Sequence, residues 1–434
     1  MPDHLRARLL PAWVEPLDVF RMLEARAADV FWLDAGDGAT EGWSFIGTGT
    51  VSALPTDVRI DGPTVDDGLP PFRGGWIGWR DYESGARDAG APVTAEDDDR
   101  PSWLRATHVI AIDHVGQRVW ALAEAAELDA WVSAVDGDLA AAPDLDAAPT
   151  SIAVARHDPQ AYAGLIQECR DLIRAGIAYQ LCLTTRFTVP GQHDAVAAYL
   201  RLRAATPAHH GGFVRIGDRT LLSASPEQFL HAEGGVIRTR PIKGTRPRGA
   251  TPADDAALAA ELAVDRKERA ENVMIVDLMR NDLSQVCVPG SIRVDGLWVV
   301  ETYPAVHQLV STVSGTAVAG ATVGELFQAA FPAGSMTGAP KLSAMTRLHA
   351  LEGGPRGIYA GCFGYIGVDG TLDLAMVIRS IVVEEHRAVV GAGGGITWGS
   401  EPDAEVAEVA TKAAAPLAAL GAVLPVLWGS DILN

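Results

Sequence analysis

Arg240-Pro-Ile-Lys-Gly-Thr-Arg-Pro-Arg-Gly249 sets a single lysine, Lys243, between a proline and a glycine, with arginines at 240, 246 and 248. Sixteen residues upstream, Ser225-Pro-Glu227 places a carboxylate just past the apolar pair Leu221-Leu222. A lysine that attacks a substrate must be partly neutral, and burial and cationic neighbours both lower an amine's pKa. Taken alone, the decapeptide is a solvated loop after a hairpin. The rest of the chain gives it another meaning.

A chain of 434 residues is long for one core and suggests two domains or one elaborate one. Its 48% hydrophobic and 21% charged residues are those of an ordinary globular protein. The formal net charge of −20 argues against nucleic acid and anionic membranes, and requires a locally positive pocket for an anionic substrate. Cys169, Cys182, Cys287 and Cys362 are scattered, with no Cys-x-x-Cys pair, which fits a reducing cytosol. Met1-Pro-Asp-His-Leu-Arg6 does not read as a signal peptide, and Leu417–Leu433 is broken by Gly421, Pro425 and Gly429. A cytoplasmic location is expected.

Residues 1–136 read as a mixed region. The spacing predicts a helix over 17–28, and strands at Val30–Leu33, Trp43–Ile46 and His108–Ile112. Pro70-Pro-Phe-Arg-Gly-Gly-Trp-Ile-Gly-Trp79 reads as a tightly packed strand, and Glu96–Arg100 as a solvated loop. The Ala-, Pro- and Asp-rich segment 137–151 is the expected linker to a second domain, 152–425, with a tail at 426–434. In that domain Asp158-Pro159 opens a helix that ends at Gly176, and a strand over 179–189 carries Gln180. One long helix is predicted over 258–282, a strand over 299–313 containing His307, and a hairpin of 359–368 with 372–383 around Asp369-Gly370. A glycine-rich strand follows at 389–396, then a closing helix over 402–420.

Two Glu-x-x-Glu pairs, Glu268/Glu271 and Glu405/Glu408, fall on separate predicted helices. One such pair is ordinary helix surface. Two beside apolar segments suggest facing carboxylates that share a cation, and all-oxygen ligands select Mg²⁺ over zinc. Arg379, inside an apolar strand, needs either a buried protein carboxylate or a substrate carboxylate. Gly391-Ala-Gly-Gly-Gly395 offers amides to an anion or makes a tight turn, and lacks the Gly-Lys-Ser/Thr ending of a phosphate loop. No cysteine sits in a Gly-x-Cys-x-Gly elbow.

Ser225-Pro-Glu227, Pro241–Gly249, Glu268-Arg-Ala-Glu271, Asp277–Leu283, His307–Ser311, Gly338-Ala-Pro-Lys341, Ile378-Arg379 and Gly391–Ile396 occur in the order found in chorismate-utilising enzymes, which the chain resembles from about 158 to 420. Trp43–Gly47 and Gly74–Gly78 resemble the family's amino-terminal region more loosely. The water-adding members carry a lysine base where Gln180 stands, and anthranilate synthases usually have alanine at position 243 and histidine at 272. Pro241–Thr245, Ala270-Glu-Asn272 and Gly334–Lys341 instead resemble component I of the aminodeoxychorismate synthases. Gly176-Ile177 and Cys182 depart from the family's Gly-Asp and Asn, at the edge of the pocket. Trp32-Leu-Asp-Ala35 stands where anthranilate synthases begin a tryptophan pocket with a Leu-Leu-Glu-Ser-like run, so tryptophan feedback is not expected.

The resemblance implies an α+β fold: two large antiparallel β-sheets packed face to face, helices on the outside, and the site in the cleft between them. It implies Mg²⁺ on Glu268, Glu271, Glu405 and Glu408, a neutral Lys243 as nucleophile, and Glu227 as general acid. Arg379, Tyr359, Lys412 and amides near Gly393 would hold the enolpyruvyl carboxylate, with His307, Thr245 and Gln180 around the ring. The implied reaction aminates chorismate to 4-amino-4-deoxychorismate, on the way to 4-aminobenzoate, with ammonia from a separate glutaminase subunit. Amination at C2, as in anthranilate synthases, and a non-catalytic chorismate-binding subunit are the competing readings.

Overall fold

The computed structural model describes residues 4–63, 68–94, 100–135, 150–303 and 306–429. Most of segment 137–151, the acidic run 96–99 and the last five residues of the tail lie outside these.

Twenty strands hydrogen-bond into one network, and every pairing within it is antiparallel. The alternation along single strands shows how it is layered. In Val30–Asp34, Phe31 and Leu33 belong to a core built almost wholly from strand residues, with Phe45, Trp79, Val109, Leu221 and Phe363. Val30 and Trp32 point the other way, into a core shared with the helices Pro16–Glu24, Pro159–Arg174, Ala195–Ala205 and Pro402–Ala419. A third core sets Ile275, Met279, Leu326 and Phe327, from the helices Arg266–Leu283 and Val323–Ala330, against Leu230, Val313 and Leu374. The order is therefore helices, strands, strands, helices. A strand buried on both faces reads as a continuous apolar run, as Val30–Leu33 does, and the buried Asp34 that ends it is paired with Arg203.

The amino-terminal region is woven into the same sheet. Val30–Asp34 pairs with His210–Ile216, and Gly75–Arg80 pairs with Cys362–Gly367. Segment 137–151 separates two stretches of sequence whose strands share one hydrogen-bond network. The tail begins with a docked turn: Trp428 is buried against Tyr162 and Phe187, and its indole N–H donates to the His157 carbonyl. Among the described residues no helix is long and apolar enough to cross a membrane.

Three predicted elements break where the site lies. The helix expected over 258–282 is two, Pro252–Val264 and Arg266–Leu283. Asp265 between them is extended, and its side chain accepts the Lys267 and Glu268 N–H groups, starting a new helix one turn before the first glutamate pair. The strand expected over 299–313 is a pair, Arg293–Thr302 and Val306–Thr316. The second hairpin strand stops at Met376 and resumes at Ser380, with Arg379 at φ 52° in the gap. A side chain in that left-handed region is uncommon and marks a site.

Candidate active site

Strand Ile242–Pro247 runs beside Val306–Thr316, and between the pairs Ile242–Val310 and Thr245–Gln308 it holds one residue more than its partner. That bulge contains Lys243 and Gly244 and re-aims the lysine. Gly244 has φ 79°, and a Cβ there would lie 2.8 Å from Leu262 and 3.0 Å from Glu268. The glycine thus lets the lysine strand press onto the helix of the first glutamate pair. No hydrogen bond or ion pair within 4 Å holds the Lys243 amine among the described residues. It faces a cavity of about 440 Å³ whose walls include Glu227, Lys243, Thr245, Glu268, Glu271, Tyr359, Arg379, Gly391–Gly395, Glu405, Glu408 and Lys412.

The charges around Lys243 differ from those its sequence neighbours suggest. Burial pushes its pKa down, but the carboxylates of Glu271, Glu227 and Glu408, with Cys182, outweigh burial and raise it. The arginines that were to depress it are engaged elsewhere: Arg240 with Glu301, Arg246 with Glu261 and Asp265, Arg248 with Asp255.

Glu227 lies between the strands Arg219–Ser225 and Gln228–Glu233, with its carbonyl bonded by the Met376 N–H. Burial raises its pKa to about 7 against the pull of Lys243, of hydrogen bonds from Ser335 and the Ile242 amide, and of Lys412. A carboxyl group half protonated near neutrality can act as a general acid.

The four glutamates come from two helices and line one wall. Burial likewise raises Glu271 to about 7, and one of its oxygens is buried without a hydrogen-bond donor. Lys267 lies between the helices, 3.4 Å from Glu405 and 3.9 Å from Glu271. An orphaned carboxylate oxygen and an ammonium drawn between two buried carboxylates mark a cation-seeking set. Among the described residues no three His, Cys, Asp or Glu side chains converge closely enough to enclose an ion.

At the other end, Arg379 is lowered by burial despite Tyr359 and Glu408, and has no hydrogen-bond or ion-pair partner among the described residues. Lys412 bonds Glu408 at 2.7 Å and the Gly393 carbonyl at 2.8 Å. The glycine run is a strand, Arg387–Ile396, paired along its length with Gln180–Pro190. Its glycines make room for side chains. A Cβ at Gly391 would strike the Tyr359 ring at 2.1 Å, and one at Gly394 would meet Glu405 at 3.2 Å. A Cβ at Gly395 would lie 2.4 Å from the Gln180 amide and 3.3 Å from the Lys243 amine.

Two expected residues stand apart from the cavity lining. Gln180 is buried behind Gly395, with neither amide atom hydrogen-bonded. His307 points away, because Val306 and Gln308 face the cavity and side chains alternate along a strand. Its ring bonds Asp255 and Thr302, both at 2.9 Å. Gln308, Ser335 and Cys182, to which no role fell on sequence grounds, do line the cavity. Only the strand's phase could have singled out Gln308, and that depends on the bulge opposite it.

The family model for chorismate binding enzymes matches residues 28–418. The chain belongs to the chorismate binding enzyme family. Within the family it is 43% identical over 372 residues to an aminodeoxychorismate synthase of Streptomyces pristinaespiralis, covering 81% of this chain and 52% of that protein. It is 38% identical over 347 residues to the aminodeoxychorismate synthase component 1 of Klebsiella aerogenes, covering 79% and 76%. The chain spans about half the length of the first curated relatives it matches. The crystal structure of anthranilate synthase component I from Streptococcus pneumoniae superposes with a TM-score of 0.74 at 28% identity, covering 95% of this chain and 92% of that one. The cavity carries its carboxylates on one wall and the Arg379 guanidinium at the other end.

Proposed function

We propose that this chorismate binding enzyme aminates chorismate to 4-amino-4-deoxychorismate, the precursor of 4-aminobenzoate and folate. The reading is carried by Lys243, unpaired, facing the same cavity as the near-neutral acid Glu227 and the four glutamates. It is supported by the similarity to aminodeoxychorismate synthases.

Glu268, Glu271, Glu405 and Glu408 would hold Mg²⁺, which when bound would anchor the ring carboxylate and offset the negative charge beside Lys243. Arg379, with Tyr359 and Lys412, would hold the enolpyruvyl carboxylate. Lys243 in its neutral form attacks C2, both ring double bonds shift (C1=C2 to C1=C6 and C5=C6 to C4=C5), and the C4 hydroxyl leaves as water with a proton from Glu227. Ammonia then forms the new bond at C4, both double bonds shift back, and the C2–nitrogen bond to Lys243 breaks. Two allylic displacements leave the diene where it began. A single attack by ammonia at C2 would give the anthranilate pattern, and would leave Lys243 without a task.

The ammonia would come from a glutaminase activity, for which residues 1–434 offer no ready nucleophile. All four cysteines here are free and buried, and burial raises the thiol of each, so none is a ready nucleophile. Four free thiols also suit a reducing cytoplasm.

The test is direct. The purified protein with chorismate, a magnesium salt and an ammonium salt should yield a product with the mass and ultraviolet spectrum of 4-amino-4-deoxychorismate. Formation of 2-aminobenzoate would overturn the reading. Lys243→Ala should nearly abolish the product while chorismate still binds, and unchanged single-turnover kinetics would remove the covalent step.

A further inference from the structure

The helix Arg266–Leu283 buries an asparagine immediately after the first glutamate pair. Asn272 is fully buried, on a helix that also buries Ile275, Val276 and Met279. One orientation of its amide satisfies both ends: Oδ1 accepts the Ser311 hydroxyl at 2.6 Å, and Nδ2 donates to the Pro241 carbonyl at 3.5 Å. Ser311 is equally buried, on the strand Val306–Thr316. Its backbone N–H donates to the same Pro241 carbonyl at 3.2 Å, and its hydroxyl oxygen accepts the Trp298 N–H at 3.0 Å. Trp298 is held at φ 58°, and its indole N–H returns to the helix, donating to the Arg269 carbonyl at 3.2 Å. The helix therefore gives this node Arg269 and Asn272, which alternate with Glu268 and Glu271 on the cavity wall. Pro241 stands two residues before Lys243, at the foot of the bulged strand. Asparagine is a poor helix former, and an unpartnered buried amide is costly. An apolar pair of the same shape would be about as stable, so what a fully bonded node adds is a single geometry.

We propose that Asn272, together with Ser311, is a positioning residue for Lys243: the pair fixes the Pro241 carbonyl, and with it the bulge that aims the amine into the cavity. The proposal rests on the reading of Lys243 as the nucleophile. Neither Asn272 nor Ser311 is among the described residues that line the cavity, so both act through the backbone of the lysine strand. Gly244 completes the restraint from the far side of Lys243, where a Cβ would lie 3.0 Å from Glu268. The lysine is thus gripped before and after by the one helix that carries Glu268 and Glu271. Its distance from that carboxylate wall is set by the node, and a nucleophile displaced by a fraction of an ångström loses rate without losing substrate.

The experiment reads the lysine directly, by acylating the amines of the free protein and comparing Lys243 with Lys412, in the same cavity, by mass spectrometry. Asn272→Leu and Ser311→Ala should each raise the Lys243-to-Lys412 labelling ratio by about fivefold, the effect of one hydrogen bond on local opening. With chorismate, a magnesium salt and an ammonium salt, both should lose about 10- to 100-fold in kcat while KM for chorismate stays within about twofold. The double variant Asn272→Leu/Ser311→Ala leaves neither partner of that bond unpaired, so it should unfold in urea closer to the parent than either single variant, with kcat still low. Should a single variant fail to fold, the double variant carries the same labelling and rate measurements. A labelling ratio that does not move overturns the proposal. So does a double variant whose kcat recovers along with its stability, which would reduce the node to packing. If labelling shifts as stated but the unaltered protein makes no aminated product, the positioning stands and the amination reading falls.

Discussion

Replacing Glu227 by Gln should make the folded protein more stable at pH 8 while removing its activity. The carboxyl's ordinary pKa of 4.5 becomes about 7 in the fold, because burial outweighs Lys243, Ser335 and Lys412. Each pH unit is worth 1.36 kcal/mol, so ionising Glu227 in the fold costs about 3 kcal/mol more than in the unfolded chain. A raised acid contributes stability that is fully present below pH 4.5 and is lost as pH rises through about 7. Glutamine keeps the shape but carries no charge to desolvate. Urea unfolding at pH 5 and pH 8 should therefore show the variant near the parent at the lower pH and about 2–3 kcal/mol more stable at the higher. Product formation should fall by about 10²- to 10⁴-fold, the usual contribution of a general acid. A stability difference that does not change with pH, or a variant weaker at pH 8, would mean that the carboxyl is not strained by burial. The functional argument from its near-neutral pKa would then go as well.

Arg379→Ala should raise KM for chorismate by about 10- to 100-fold, the loss of one charge-assisted carboxylate contact, with Arg379→Lys intermediate. An unchanged KM would mean that the enolpyruvyl carboxylate binds elsewhere. His307→Gln should lower unfolding stability by about 1–3 kcal/mol, because Asp255 and Thr302 lose a buried partner, with kcat changed by less than about twofold. A large drop in kcat at unchanged stability would put that ring back in the cavity.

Much of the site was legible in the chain because chemistry resides in residue types at fixed spacing. Glu268/Glu271 and Glu405/Glu408 share helix faces by periodicity alone, and those faces do meet across one cavity. Val30–Leu33 was recognisable as a strand because it is apolar throughout. What could not be read were the phases set by breaks: the extended Asp265 that restarts a helix, the bulge that turns Lys243, and the gap that holds Arg379 at φ 52°. A one-residue change of phase decided that Gln308, not His307, faces the cavity, since side chains in a strand alternate.

The order of motifs determined the family, the two carboxylate pairs, and the lysine and acid that face each other. The tertiary structure decided their charge. Three arginines close to Lys243 in sequence spend themselves on Glu301, Glu261, Asp265 and Asp255, while carboxylates from distant segments surround the amine. A pKa is set by the desolvation and the charges within a few ångströms in space, and neither is a property of neighbours along the chain.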